Sequence, residues 1–244
     1  KQPSSSQISL ELIYHLISSS RHEDATSIII DEGRDLVKEG HIELLGLLES
    51  IDTKSVNAEG ACRIDRLRGE VLALLGRFDE AEEAFNQARP PAEAAGLKDV
   101  IADILSNLAD IALKRGDSES SLGMHRKALE LFIELKDAVG AARSYNNMGY
   151  ILRRSGDNAK ALDAYSEVES ILSEDKSKSL IPAQIVLARA LLDLGHQDRA
   201  RDHALSAYEQ SENSDDTILH ARARAVLGRY YAKTGDSDLA LHHY

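Results

Sequence analysis

An all-α chain built from repeated helical hairpins is predicted by three observations. A glycine returns at Gly76, Gly116, Gly156, Gly195 and Gly235, at intervals of 40, 40, 39 and 40 residues. Around these glycines, small and apolar residues fall at i, i+3, i+4 and i+7, the period of an amphipathic helix and not of a strand. Composition agrees, since abundant Ala, Leu, Glu and Arg with only four prolines favour helix. Self-similarity at a fixed period of this size marks a solenoid, in which each unit buries its apolar face against its neighbours. The expected architecture is a right-handed α-α superhelix of about five helical hairpins over residues 56–244, the last one truncated. An irregular helical segment at 8–55 and a linker at 1–7 precede it.

The stretch Lys1-Gln2-Pro3-Ser4-Ser5-Ser6 is polar and reads as linker. Helices are expected next at about 8–19, 22–39 and 41–51, with turns at Ser20-Arg21 and Gly40. Those turns lie 20 residues apart, half the repeat spacing, so the first 55 residues are expected to stand outside the period. Both ends read as cut. The chain starts without a methionine and stops at Tyr244, a few residues into an expected helix, so it is expected to be part of a longer protein.

Each unit then has a helix A before its glycine and a helix B after it. In the third unit helix A is expected over 142–155 and helix B over 158–172. Gly156 suits the left-handed position that ends a helix, and Asp157 or Asn158 supplies the next N-cap. Tyr145, Met148, Gly149 and Leu152 share one face of helix A, and Ala161, Tyr165 and Val168 share one face of helix B. The corresponding residues are Gly69, Ala81, Phe85 and Ala88 in the first unit and Ala109 and Ala128 in the second. They are Ala188, Ala200 and Ala207 in the fourth, and Gly228, Tyr231, Ala240 and Tyr244 in the fifth. Ser121, His125 and Ala204 depart from the pattern and are expected to loosen their units. Pro90-Pro91 is expected to kink or break the first helix B, because proline lacks a donor and clashes with the preceding turn.

This pattern resembles the tetratricopeptide repeat, with Gly149 and Ala161 at its two small positions and Tyr165 at its aromatic site. The resemblance covers residues 56–244. A 40-residue period exceeds the usual ~34, so longer helices are expected, with the extra residues near Glu134-Leu135-Lys136-Asp137. Repeats of this length are similar to those of kinesin light chain, Pins-type adaptors, and bacterial and archaeal signalling ATPases. The segments Leu12-Ile13-Tyr14-His15-Leu16, Arg21-His22-Glu23-Asp24-Ala25 and 31–40 resemble a connector found in STAND-type ATPases, the class that includes the maltose-regulon activator. There it joins a winged-helix module to the repeats. A plain N-terminal cap over the first repeat accounts for the same segment.

Several function classes are disfavoured. A formal charge of −12 argues against a general nucleic-acid coat, and no apolar run reaches the ~18 residues of a membrane span. Cys62 is the single cysteine, which rules out an internal disulfide and makes the cytoplasm the expected compartment. No Gly-rich phosphate cradle and no catalytic constellation appears, so a non-catalytic chain without a cofactor is expected. The nine histidines show no four-ligand spacing, and on a helix the adjacent His242-His243 pair diverges by about 100°. No metal site is expected.

The resemblance implies that helix A lines an inner groove and that its inward turns make the ligand contacts. Counting thirteen, nine, six, three and two back from the glycine gives Arg143, Asn147, Tyr150, Arg153 and Arg154 in the third unit. The same count gives Asp103, Asn107, Asp110, Leu113 and Lys114 in the second unit, and Arg63, Leu67, Glu70, Ala73 and Leu74 in the first. In the fourth it gives Pro182, Val186, Arg189, Leu192 and Asp193, and in the fifth Arg222, Val226, Arg229, Ala232 and Lys233. The cations therefore gather on helices A of the third to fifth units as a basic inner stripe. Asn107 and Asn147 resemble the peptide-gripping asparagines of kinesin light chain and Pins-type adaptors, and Tyr150 offers an aromatic wall. Pairing of these arginines with carboxylates of neighbouring helices is the plain alternative.

The function expected is a protein- or peptide-binding module, the sensor region of a larger signalling ATPase or transcription regulator, with an acidic peptide or partner in its groove. A free-standing adaptor and a peptide-pheromone receptor are the other readings. Leu239, Leu241 and Tyr244 leave an apolar edge through which self-association is expected.

Overall fold

The computed structural model describes residues 5–175, 180–212 and 216–243, and among these the regular structure is helical. In chain order the helices are α1 (Ser5–Ser18), α2 (His22–Lys38), α3 (Leu44–Ser50), α4 (Ala58–Leu74), α5 (Phe78–Ala94), α6 (Lys98–Lys114) and α7 (Ser118–Glu134). They continue with α8 (Ala138–Arg154), α9 (Asn158–Glu174), α10 (Ile181–Asp193), α11 (Gln197–Glu212), α12 (Thr217–Thr234) and α13 (Ser237–His243). A 3-10 turn at Thr53–Ser55 separates α3 from α4. The pairs α4–α5, α6–α7, α8–α9, α10–α11 and α12–α13 are five hairpins of an all-α helical solenoid fold.

Every helix from α4 to α9 has 17 residues. Turns of three residues join them, both inside a hairpin and between hairpins. Two such helices and two such turns make the 40-residue period. The extra length is therefore shared by helices A and B. Residues 135–137 form an inter-hairpin turn, and not the expected extension of a helix.

Each of these turns is centred on a left-handed residue: φ is +76° at Gly76 and +68° at Gly96, and Lys136 adopts +57° at the position equivalent to Gly96. A turn thus recurs every 20 residues, and Ser20 (φ +57°) and Gly40 (φ +83°) keep that spacing. The hairpin α1–α2 therefore shares the half-spacing of the repeats, but Gly40 and Gly76 are 36 residues apart, so it stands out of phase with the hairpins that follow. The seven-residue α3 and the 3-10 turn are what shift the phase. Helix α1 already begins at Ser5, inside the stretch expected as linker; residues 1–4 and Tyr244 lie outside the described residues.

Pro90 and Pro91 do not break α5, which continues to Ala94. Proline's fixed φ is already helical, and the carbonyls left without donors belong to Asn86 and Gln87, on the water side of the helix. On the other side Ala88 and Ala92 are fully buried and hold both halves of the helix in place. At two departures from the pattern, Ser121 is hydrogen-bonded, whereas neither ring nitrogen of His125 has a hydrogen-bond partner among the described residues. Both are fully buried, and the Ser121 hydroxyl donates to the Ala109 carbonyl at 2.8 Å.

The chain divides into two compact units, one up to Leu131 and one from Phe132 onward. The first has a core that includes Ile13, Ile29, Leu44, Leu48, Ile64, Leu67, Phe85 and Ile104. There the ring of Phe85 fills the space beside Gly69, where an added Cβ would lie 2.6 Å from it. In the second unit Ile185, Ala188, Ala207, Ala223 and Leu227 form part of the core. Tyr165 closes on Gly149 in the same way, and Phe132 closes on Gly140, a close contact that the sequence pattern did not reveal.

Candidate ligand cleft

Helices α8, α10 and α12 are helices A of the third to fifth hairpins, and all lie in the second unit, where α10 packs against both of the others. Spacings of three and four residues put Tyr150 with Arg153 and Arg154 on α8, Arg189 with Asp193 on α10, and Arg229 with Lys233 on α12. Tyr150, Arg153, Arg189, Asp193 and Arg229 line one cleft of about 340 Å³, together with Tyr165 of α9 and the α10 residues Val186 and Ala190.

Tyr165 belongs to the core and is 1% exposed. Gly149 opposite it leaves room for the ring, and Arg153 lines the cleft beside it. Burial pushes the Tyr165 phenol above its usual pKa; Asp193 adds to this, while the positive charges of Arg153 and Arg189 oppose it. At the rim the guanidinium carbons of Arg153 and Arg154 each lie 5.7 Å from the centroid of the Tyr150 ring. Arg154 Nη1 also donates to the Tyr150 hydroxyl at 3.1 Å. The Tyr150 ring thereby has two cations within cation–π distance.

Arg229 Nη2 donates to Asp193 Oδ1 at 2.8 Å. Lys233 Nζ lies 3.8 Å from the same oxygen and donates to the Leu192 carbonyl at 2.9 Å. Arg153, Arg154 and Arg189 form no ion pair among the described residues. The lining therefore holds three guanidinium groups against one carboxylate.

Of the ten residues singled out from the sequence, Tyr150, Arg153, Arg189 and Arg229 line this cleft and Arg154 stands at its rim. Arg143 stacks on Phe132, with 5.5 Å from its guanidinium carbon to the ring centroid. Asn147 is half-buried and already engaged within the protein, and Arg222 is exposed on α12 outside the lining. In the first unit the Lys114 ammonium lies 5.7 Å from the Phe78 ring centroid. Asn107 donates to the Asp103 carbonyl at 2.9 Å and to Glu70 Oε1 at 3.3 Å, which commits its amide group internally.

The stripe expected on the third to fifth hairpins is thus gathered in the cleft only in part. In the first unit the inner positions form a paired network: Arg63 with Glu59 and Asp99, Arg66 with Glu70 and Asp103, and Arg34 with Asp103. Arginines without a carboxylate partner mark the cleft of the second unit. Tyr165 and Ala190 escaped the sequence reading as ligand contacts: Tyr165 carried the signal of a packing aromatic, and Ala190 lies outside the five counted positions, whereas Asp193 stands at the inward position two before Gly195 but was not singled out.

Among the described residues no group of three or more His, Cys, Asp or Glu is arranged to hold a metal ion. No described helix is long and apolar enough to cross a membrane.

Two sequence models, both described as tetratricopeptide repeat, match the chain: one over residues 100–174, the other over 63–87, 181–205 and 221–243. The outer dynein arm-docking complex subunit 4 of Homo sapiens is 20% identical over 152 residues, which are 62% of this chain. The chain spans 22% of that relative's length. A STAND protein with a tetratricopeptide repeat sensor from Pyrococcus horikoshii superposes with a TM-score of 0.63 at 19% identity, covering 96% of this chain and 40% of that one. The apo form of the quorum sensor NprR from B. thuringiensis gives 0.62 at 14% identity, covering 96% and 73%. NprR is also known in complex with its cognate peptide NprX. At these identities the structural likeness speaks for the fold. Hairpin period, small-to-aromatic packing and sequence matches agree, and the chain belongs to the tetratricopeptide repeat family.

Proposed function

We propose that this chain is a non-catalytic protein- or peptide-binding module, and that its second unit holds an acidic group of the ligand in the cleft of Tyr150, Arg153, Arg189 and Arg229. One observation carries this reading. Arg153 and Arg189 line a concave site without an ion pair among the described residues, in a chain with a formal charge of −12. Guanidinium groups in such positions offer forked, two-point contacts to a carboxylate or phosphate. Tyr150 adds an aromatic wall for the neighbouring part of the ligand.

The larger role proposed is the sensor region of a signalling ATPase or transcription regulator. Ligand occupancy would shift the attached switch through its different affinity for two states. The fold shared with a STAND tetratricopeptide repeat sensor and with NprR supports this reading. An adaptor role uses the same cleft, and the partial match to a docking-complex subunit favours it. The full reading frame separates the two, since a sensor requires a nucleotide-binding or winged-helix module on the same polypeptide.

The cleft itself is tested with the double variant Arg154→Glu/Arg189→Glu and a fluorescein-labelled acidic peptide. Binding is expected to weaken at least about tenfold, with the unfolding midpoint nearly unchanged. Equal affinity of variant and wild type would remove the cleft assignment.

A further inference from the structure

We infer that Asp193 is the built-in counter-anion of the cleft and a specificity-determining residue: it competes with the acidic group of the ligand for Arg229 and Lys233, and so selects against densely charged ligands. This rests on the acidic-ligand reading proposed above. Asp193 follows Arg189 by four residues on α10, the spacing at which an acid and a base pair along one helix. The carboxylate turns away from that partner and reaches across to α12, to Arg229 at 2.8 Å and Lys233 at 3.8 Å. In the free protein Arg229 is thus occupied, while Arg153 and Arg189 are without ion-pair partners among the described residues.

An entering carboxylate meets two open guanidinium groups on α8 and α10 and a closed one on α12. It also meets the Asp193 carboxylate, whose side chain is only 22% exposed and is therefore poorly screened. A single carboxylate is satisfied by Arg153 and Arg189 and leaves the Asp193 pair intact. A phosphate carries about −1.5 to −2 charges at neutral pH and meets a correspondingly larger repulsion. Specificity then comes from a repulsive element beside the attractive ones.

The test uses two peptides with the same Gly/Ser/Ala background, one with a central Glu and one with a central phosphoserine. Both are titrated by NMR into the wild type, Asp193→Asn and Arg229→Gln. Asparagine keeps the shape and still accepts a hydrogen bond from Arg229, so the contact between α10 and α12 survives. Asp193→Asn is expected to tighten the phosphoserine peptide about five- to tenfold and the Glu peptide by less, so the preference shifts at least about threefold toward phosphate. Arg229→Gln breaks the same ion pair and is expected to weaken both peptides. A merely structural role for the pair would move both variants in one direction, and that result overturns the inference. An unchanged preference in Asp193→Asn also overturns it, while binding to the wild type would leave the cleft reading standing. Asp193→Ala repeats the comparison if asparagine lowers the unfolding midpoint. If wild type and Asp193→Asn both fold and neither binds either peptide, the cleft reading and the inference fall together.

Discussion

Gly149 ties packing to the cleft through a single missing methyl group. A Cβ built there would lie 2.5 Å from Cε1 of Tyr165, whose ring lines the cleft together with Arg153. Gly149→Ala is therefore expected to cost about 1–3 kcal/mol of stability, the usual range for overpacking a tight site. It should also weaken acidic-peptide binding by displacing the floor of the cleft. Urea unfolding and a peptide titration check the two effects, and a variant as stable as the wild type would show that the ring can move aside freely. His125 makes the complementary point. A histidine fills an aromatic site completely, with its Nε2 3.4 Å from Asp110 Oδ1, so a polar ring can substitute for an apolar one in shape.

Turns and interhelical ion pairs hold the elements in place. Lys136 is a non-glycine residue at φ +57°, in a turn whose equivalents use glycine. A left-handed L-residue is strained by its Cβ, so Lys136→Gly is expected to raise stability by about 0.5–1 kcal/mol, less the greater freedom of glycine in the unfolded chain. A higher urea midpoint checks this; a lower one would mean that the lysine side chain contributes more than its backbone costs. Helices α9 and α11 are joined by Glu169, which accepts from Arg199 at 2.5 and 3.0 Å and lies 3.0 Å from His203 Nε2. Burial alone would raise the Glu169 pKa, but Arg199 and His203 outweigh it and hold the carboxyl below its ordinary value. A depressed folded value means that the stabilisation is present above about pH 4.3 and is lost as pH falls through the folded pKa. Glu169→Gln is expected to cost about 1 kcal/mol at pH 7. The gap from wild type should shrink as the solution is acidified below that value, and a gap of the same size in acid would contradict the assignment.

The charge of the whole molecule and the charge of the cleft have opposite signs, and salt separates their effects. At about 0.1 M ionic strength the Debye length is about 10 Å, so the distant carboxylates of the −12 chain are already largely screened from an approaching ligand. Contacts inside the cleft are much shorter than that. Acidic-peptide affinity is therefore expected to fall between 0.1 and 0.5 M salt, and to do so less steeply in Arg154→Glu/Arg189→Glu. Salt-independent binding would point to an apolar contact at Tyr150 as the main source of affinity.

How much was legible follows from the range over which each feature is encoded. The helical hairpins, the left-handed glycine between their two helices and the pairing of Gly149 with Tyr165 were legible in the amino-acid sequence, whereas the 17-residue length of each helix and the second turn at 135–137 were not. Helical periodicity depends on neighbours three and four residues apart, and the repeat writes the same local message several times. The persistence of α5 through Pro90-Pro91 was not legible, because burial of Ala88 and Ala92 on the opposite face outweighs a local preference. Nor was the partner of each charge. Arg63 pairs with Asp99, Arg229 with Asp193 and Asn107 with Glu70 across separations of 36 or 37 residues, from one helix A to the next. Counting back from each glycine identified the face on which these residues stand. Which arginines remain open to a ligand was decided by folding, because an ion pair forms where packing brings two side chains within reach, and that distance is a property of neighbouring helices and not of either one.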